Sequence, residues 1–239
     1  MILEIDAGNT FVKWRLLEGD CIQERGKFLT ASDLWPVQKS WSNATESRVA
    51  SVAGDDINSR LKKCVNDFSG HEPKFAVTGK HCSGVTNSYE DPSRMGVDRW
   101  LVMLAAYNDC KQACCIVDCG SAITVDYVAA SGEHLGGYII PGLRLMNESL
   151  LANTAEIKVD QSIEHFDLGL GTHTSSAVVH GVNYLFKALC EKLQSDLQSM
   201  SVDYRLYITG GDGELFHQLI GEGCYRPDLV MDGLSWSLS

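Results

Sequence analysis

The sequence is short of positive charge. Its 20 Lys and Arg residues face 31 Asp and Glu, a formal net charge of −11. Binding to nucleic acid relies on a basic footprint, so nucleic acid is not an expected partner, although a small anion in a local pocket is still allowed. Long apolar runs are missing as well. The longest clear one, Trp100 to Tyr107, falls far below the ~20 residues of a membrane-spanning helix, and no membrane partner is expected. The opening MILEID carries an acid at position 4 and no basic region, unlike an export signal. No two of the nine cysteines form a C-x-x-C pair, and their count is odd. Reduced thiols in a cytoplasmic protein, acting as small buried hydrophobes, are the expectation. A Walker A loop is absent, because Gly79-Lys80 lacks the upstream Gly and the following Ser or Thr, and the protein-kinase motif set is absent too. Any nucleotide must therefore be held by another device.

What is present begins at the N-terminus. With 239 residues, 44% of them apolar, the chain can bury a core as one large domain or as two of about 110 residues. Met1 to Ile5 reads as an apolar strand and Phe11 to Leu17 as a second, joined by the polar turn Asp6-Ala7-Gly8-Asn9-Thr10. Gly8 lets backbone N–H groups approach a ligand closely. Asn9 and Thr10 add side-chain donors. Asp6 could hold magnesium, usually through water, and Lys13 could reach a phosphate oxygen. An ordinary hairpin turn would have a similar composition, but the plan occurs twice. In Ile116 to Asp126 (IVDCGSAITVD), Asp118 matches Asp6, Gly120 matches Gly8, and Ser121-Ala122 match Asn9-Thr10. A third strand follows each copy, at Cys21–Phe28 and Leu135–Ile140. Internal duplication is a stronger sign than either turn alone, and two similar halves would set the turns on either side of one cleft.

The rest alternates strands and helices, which argues for α/β layering. Helices are expected at Ser32 to Ser40, Asp55 to Phe68, Val97 to Tyr107, Pro141 to Leu151, Thr174 to Leu197 and Glu214 to Ile220. Short strands are expected at Arg48 to Val52, Phe75 to Val77, Ala113 to Asp118, Tyr204 to Thr209 and Leu229 to Met231. Thr86 to Gly96 reads as loop, and Glu156 to Gly171 as a long connection. No Pro- or Ser-rich linker separates the halves, and the join near Lys111 gives lobes of residues 1–112 and 113–239. The longest helix carries a stripe of Val178, Val182, Leu185, Leu189, Leu193 and Leu197, suited to core or subunit interface. Asp98, in Gly96-Val97-Asp98-Arg99 at a helix start, is the best candidate for a base; its alternative is a helix-dipole carboxylate.

Taken together, DAGNTFVKW, the Tyr89 to Trp100 segment, DCGSAITVD, GGYIIPG, Thr174 and TGGDG resemble the type III pantothenate kinases. Those belong to the superfamily of acetate and sugar kinases, Hsp70 and actin. The matching stretches cover the chain nearly end to end. The resemblance implies a two-lobed, duplicated actin-like ATPase fold with ribonuclease H-like lobes, each a mixed sheet with flanking helices. It implies ATP-dependent phosphorylation of pantothenate, the first step of coenzyme A synthesis. Asp98 would be the catalytic base. Tyr89, Gly96, Val97, Asp98, Arg99 and Thr174 would bind pantothenate. Asp6, Ala7, Gly8, Asn9, Thr10, Phe11, Val12, Lys13 and Ser121 would bind ATP and its Mg2+. Asp118 would hold a monovalent cation, K+ or NH4+. Ser121 stands where the family usually has Thr, a departure that keeps the hydroxyl. Family members resemble homodimers, so a homodimer is expected. A kinase of another small alcohol, or a non-enzymatic regulator of the Bvg accessory factor type, stays open.

Overall fold

The computed structural model describes residues 1–152 and 166–238. The strands are β1 (Ile2–Ala7), β2 (Phe11–Glu18), β3 (Cys21–Leu29), β4 (Glu46–Ser51), β5 (Lys74–Phe75), β6 (His81–Cys82), β7 (Val85–Thr86), β8 (Cys114–Cys119), β9 (Ala122–Val128), β10 (His134–Pro141), β11 (Arg205–Thr209) and β12 (Cys224–Tyr225). The helices are α1 (Asp55–Ser69), α2 (Val97–Cys110), α3 (Leu143–Ala152), α4 (Thr174–Ser199), α5 (Gly213–Ile220) and α6 (Leu229–Ser237). Two five-stranded sheets form, ordered β3-β2-β1-β4-β5 and β10-β9-β8-β11-β12. The second order is the first with each strand replaced by its counterpart. In the first sheet β1 pairs antiparallel with β2 and parallel with β4, so the sheet is mixed. In the second, β11 pairs parallel with both β8 and β12. Helix α1 joins β4 to β5 as α5 joins β11 to β12, so the duplication extends past the hairpins.

The chain divides into two compact units. One holds Met1–Lys111, Val128–Leu135 and Asp228–Ser239; the other holds Gln112–Tyr127 and Gly136–Pro227. The first unit's core gathers Leu3, Ile5, Val12, Trp14, Trp41, Val49, Leu61 and Val65, all at most 3% exposed. Burying a large apolar side chain contributes roughly 1.5–3 kcal/mol. Helix α1 turns Leu61 and Val65 into this core with Ile57 alongside, and leaves Phe68 42% exposed. The second unit's core is built on Val117, Ile123, Val125, Phe186, Cys190, Leu193, Ile208 and Phe216. Phe186 and Phe216 meet edge to face at 5.6 Å. Among the described residues, no helix is long and apolar enough to cross a membrane.

Three expected elements differ. Leu229 to Met231 is the start of helix α6, not a strand. Its Leu229, Val230, Met231 and Leu234 are all buried, and α6 crosses α2 so closely that a Cβ on Gly233 would lie 2.2 Å from the Leu101 carbonyl oxygen. Packing overrides the strand-like run of apolar residues there. Ser32 to Ser40 forms no helix. Pro36 disfavours helix in the residue before it, and only a 3-10 turn follows, at Lys39–Asn43. Pro141 closes β10 instead of opening a helix; β10 is an edge strand, where a missing N–H is tolerated. The expected long connection at Glu156 to Gly171 falls largely outside the described residues.

Candidate active site

In the first unit the hairpin turn is tightly specified. Asp6 stands directly across from Lys13 in the β1–β2 register. The Gly8 N–H donates to the Phe11 carbonyl at 3.0 Å, and the Thr30 hydroxyl donates to the Gly8 carbonyl at 2.8 Å. The segment after β3 is tied in through the Thr30 N–H, which donates to the Thr10 carbonyl at 3.0 Å. Ala7 and Val12 are fully buried and anchor the turn. Gly8, Asn9 and Thr10 keep some exposure. Burial pushes the Asp6 carboxyl up to about 6, against the pull of Lys13; the charges of Asp98 and Asp228 push the same way. A desolvated carboxylate with more negative than positive neighbours suits a cation.

Asp98 belongs to the same unit and is close enough for its charge to bear on Asp6. It lies in the first turn of α2, whose N-cap, Gly96, has no side chain to cap the helix. The Asp98 carboxylate bends back and accepts the Arg99 N–H at 2.8 Å. A Cβ on Gly96 would sit 2.4 Å from the Asp98 Oδ1, so the missing side chain makes room for that carboxylate. Arg99 is 5% exposed. Its Nη1 donates to the Tyr89 hydroxyl at 2.9 Å, and its guanidinium carbon lies 5.8 Å from the Tyr89 ring centre. Tyr89 and Arg99, ten positions apart, are thus brought together.

The second unit repeats the turn in shorter form. Gly120 N–H donates to the Ala122 carbonyl at 3.0 Å. Strand β9 begins at Ala122, whereas β2 waits until Phe11. The residue-for-residue match of Ser121-Ala122 to Asn9-Thr10 therefore fails by one: only Ser121 remains in the turn. Two further segments close on it. Gly142 N–H donates to the Ser121 carbonyl at 3.0 Å, and a Cβ there would lie 2.4 Å from the Gly120 carbonyl oxygen. Gly210, at φ +94°, leaves no room for a Cβ, which would lie 2.5 Å from the Asp118 Oδ1. The backbone of Asp212 donates to the Cys119 carbonyl at 2.9 Å, and burial raises the Asp212 carboxyl above the usual range. So DCGSAI, Gly142 of GGYIIPG and the TGGDG loop meet around Asp118 and Ser121. Gly142 and Asp212 lie in GGYIIPG and TGGDG, two stretches that carry the family resemblance, but neither residue was given a role of its own from sequence.

Thr174 lies elsewhere in the second unit. It is exposed and is the first residue of α4, not its cap. His173 is the cap, its Nδ1 accepting from the Ser176 N–H at 3.3 Å. Thr174 lines a groove of about 670 Å³ with Leu150, Thr172, Val178 and Leu185. No cluster of three or more His, Cys, Asp or Glu suited to a metal occurs among the described residues. A single carboxylate ligand such as Asp6 fits magnesium, which keeps several waters and substrate phosphates among its ligands. Cys115 and Cys190 are pushed up to about 12 and about 11 by burial, so these thiols stay protonated.

The sequence matches a known family. The sequence profile of the family described as type III pantothenate kinase matches residues 2–196. A type III pantothenate kinase of Marinobacter nauticus is 38% identical over 235 residues, covering 98% of this chain and 96% of the relative. Among solved structures, a candidate Baf family transcriptional activator from Campylobacter jejuni superposes with a TM-score of 0.58 at 20% identity. It covers 98% of this chain and 95% of its own. A candidate 2-dehydro-3-deoxygalactonokinase from Sinorhizobium meliloti superposes with a TM-score of 0.55 at 12% identity, covering 98% and 97%. These two structural likenesses carry the fold alone, which is the actin-like ATPase and sugar-kinase fold.

Proposed function

The chain belongs to the type III pantothenate kinase family, and from that premise we propose a division of labour among its residues. The protein phosphorylates pantothenate with ATP and a divalent metal, in coenzyme A biosynthesis. In the first unit, Asp6, Ala7, Gly8, Asn9, Thr10, Phe11, Val12 and Lys13 hold ATP, the backbone of the turn and the Lys13 ammonium facing phosphate oxygens. Asp6 holds magnesium, directly or through water. Bound there, magnesium would offset the negative charge of the phosphates. In the second unit, Ser121 offers its hydroxyl to a phosphate, and Asp118 takes K+ or NH4+. Equal turnover in sodium-only and potassium buffers would exclude that cation role.

Pantothenate is taken by Tyr89, Gly96, Val97, Asp98, Arg99 and Thr174. The Arg99 guanidinium suits the carboxylate of the substrate. Asp98 orients the primary hydroxyl and accepts its proton as oxygen bonds to the γ-phosphorus and the bond to ADP breaks. A carboxylate is too weak to deprotonate an alcohol beforehand, so its help is late and positioning carries much of the effect. The observation that carries this reading is the shared neighbourhood of the turn carboxylate Asp6 and the helix-start carboxylate Asp98 within one unit. Phosphate-holding and acceptor-activating groups must share one neighbourhood.

Asp98→Asn tests it. Turnover should fall by about 10²-fold or more, the scale of a lost general base, while calorimetric binding of ATP and pantothenate changes little. Near-normal turnover would reduce Asp98 to a helix-start carboxylate. Phosphorylation assays across other small alcohols, beside a DNA gel shift, separate this reading from its alternatives. The protein further acts as a cytoplasmic homodimer. Support comes from α4, which leaves Tyr184 67% and Leu185 58% exposed beside the groove at Thr174.

A further inference from the structure

His134 belongs to none of the motifs that mark the phosphate or acceptor groups. It opens β10, yet its segment, Val128–Leu135, packs as part of the first unit. The side chain is 1% exposed. A buried imidazole is costly unless its polar atoms are satisfied. Its Nδ1 lies 2.9 Å from the Ser88 hydroxyl. Its ring faces the Tyr89 ring at 6.3 Å between centres, with a 31° tilt. Tyr89 is held elsewhere too. Its N–H donates to the Asn87 Oδ1 at 2.9 Å, its carbonyl accepts from Lys80 Nζ at 3.0 Å, and its hydroxyl accepts from Arg99. The backbone beneath is pinned to the same segment, since the Thr86 N–H donates to the Gly132 carbonyl at 2.9 Å and Thr86 bridges Glu133. Besides Arg99 and Lys80, then, residues 132–134 hold the Tyr89 segment, and His134 is the residue of that stretch whose ring faces the Tyr89 ring.

We infer that His134 is a positioning residue for the acceptor substrate: anchored through Ser88, its ring backs the Tyr89 ring and so fixes the hydroxyl that aims Arg99. This rests on the reading of Tyr89 and Arg99 as acceptor-binding groups. Either the serine donates to Nδ1 or Nδ1–H donates to the serine, and both arrangements lock the ring plane. The nearby phosphate-holding turn shares none of these bonds, so the effect of losing them is selective.

Steady-state kinetics of the full chain test this, with Tyr89→Phe as the reference for the acceptor site. His134→Ala should raise KM for pantothenate about tenfold while KM for ATP and kcat stay within about twofold, the pattern of lost uniform binding. Ser88→Ala, at an exposed position, should raise the same KM about threefold, and the double variant should be no worse than His134→Ala alone, because both act through one bond. If His134→Ala does not fold, Ser88→Ala decides. Unchanged pantothenate KM in both variants, with a raised KM in Tyr89→Phe, overturns the inference and leaves the acceptor reading standing. An unchanged KM in Tyr89→Phe as well removes the acceptor reading itself. A rise in both KM values with a lowered Tm makes His134 merely structural and also overturns the inference.

Discussion

Gly96 lacks a side chain because of what Asp98 does. Its backbone, at φ −54° and ψ 136°, would accept alanine without strain, yet the new Cβ would press on the Asp98 carboxylate. The side chain would swing aside while the helix stayed. Gly96→Ala should therefore lower kcat by about tenfold or more, since small misplacements of a reacting group are costly, with Tm unchanged in a thermal melt. An equal loss of Tm would show that the glycine serves the fold. Asp6 carries the opposite tension, between stability and function. Its folded-state pKa is about 6 against an ordinary 3.8. A raised carboxyl contributes stability below the unfolded value and loses it as pH rises through the folded one. At neutral pH and above, the ionised group costs at most about 3 kcal/mol, at 1.36 kcal/mol per pH unit. In metal-free protein, Asp6→Asn should raise the urea midpoint clearly at pH 8 and little at pH 4, while abolishing magnesium-dependent turnover. A midpoint that stays put at pH 8 would show that Lys13 already compensates the charge. The pattern DAGN made Asp6 legible as a site residue; its burial beside two other carboxylates was not, because all three come from distant parts of the chain.

At the scale of elements, α6 is tied to the opening strands by charge. Arg15 on β2 sends its Nε and one Nη to Glu4 on β1, both at 2.7 Å, and its other Nη to Asp232 on α6 at 2.8 Å. Glu4 is 1% and Arg15 6% exposed. Burial pushes the Glu4 carboxyl up, and Arg15 pulls it back. Removing Arg15 leaves Glu4 with only the longer contact to Arg48 at 3.8 Å, at a cost approaching that of a broken buried pair, about 3–5 kcal/mol. Arg15→Met should lose that much in urea denaturation at pH 8 and less at pH 5, where Glu4 can take up a proton. Glu4→Gln with Arg15→Met should recover part of the loss. Equal losses at both pH values would point to packing of the arginine stem instead. None of this was visible in the sequence, where Glu4 is simply a polar residue in an apolar strand and α6 reads as a strand. The hairpins, by contrast, were visible, because strand alternation and turn residues are local. Even there the shorter second turn was missed, since a one-residue difference in a turn shows only in its hydrogen bonds.

For the whole molecule, the outward residues of α4 set one expectation. Phe186, Cys190 and Leu193 fill the second unit's core, while Tyr184 and Leu185 stay exposed, and nearby Leu170 is 96% exposed. Light scattering at micromolar concentration should give the mass of a dimer, and Leu185→Asp should shift it towards monomer. A monomeric mass for the wild type would refute the assembly. The amino-acid sequence by itself determined the α/β class, the duplicated strand–acidic turn–strand plan and the family, because these rest on local periodicity and on short motifs whose chemistry needs particular residue types. Asp98 and Tyr89 could be singled out the same way. Only the tertiary structure decided that Val128–Leu135 and α6 pack with the first unit, that Gly96 makes room for Asp98, and that His134 stands behind Tyr89. Those are contacts between segments far apart in the chain. They are set by which surfaces bury together and which charges must be compensated, and nothing in the local pattern of residues records them.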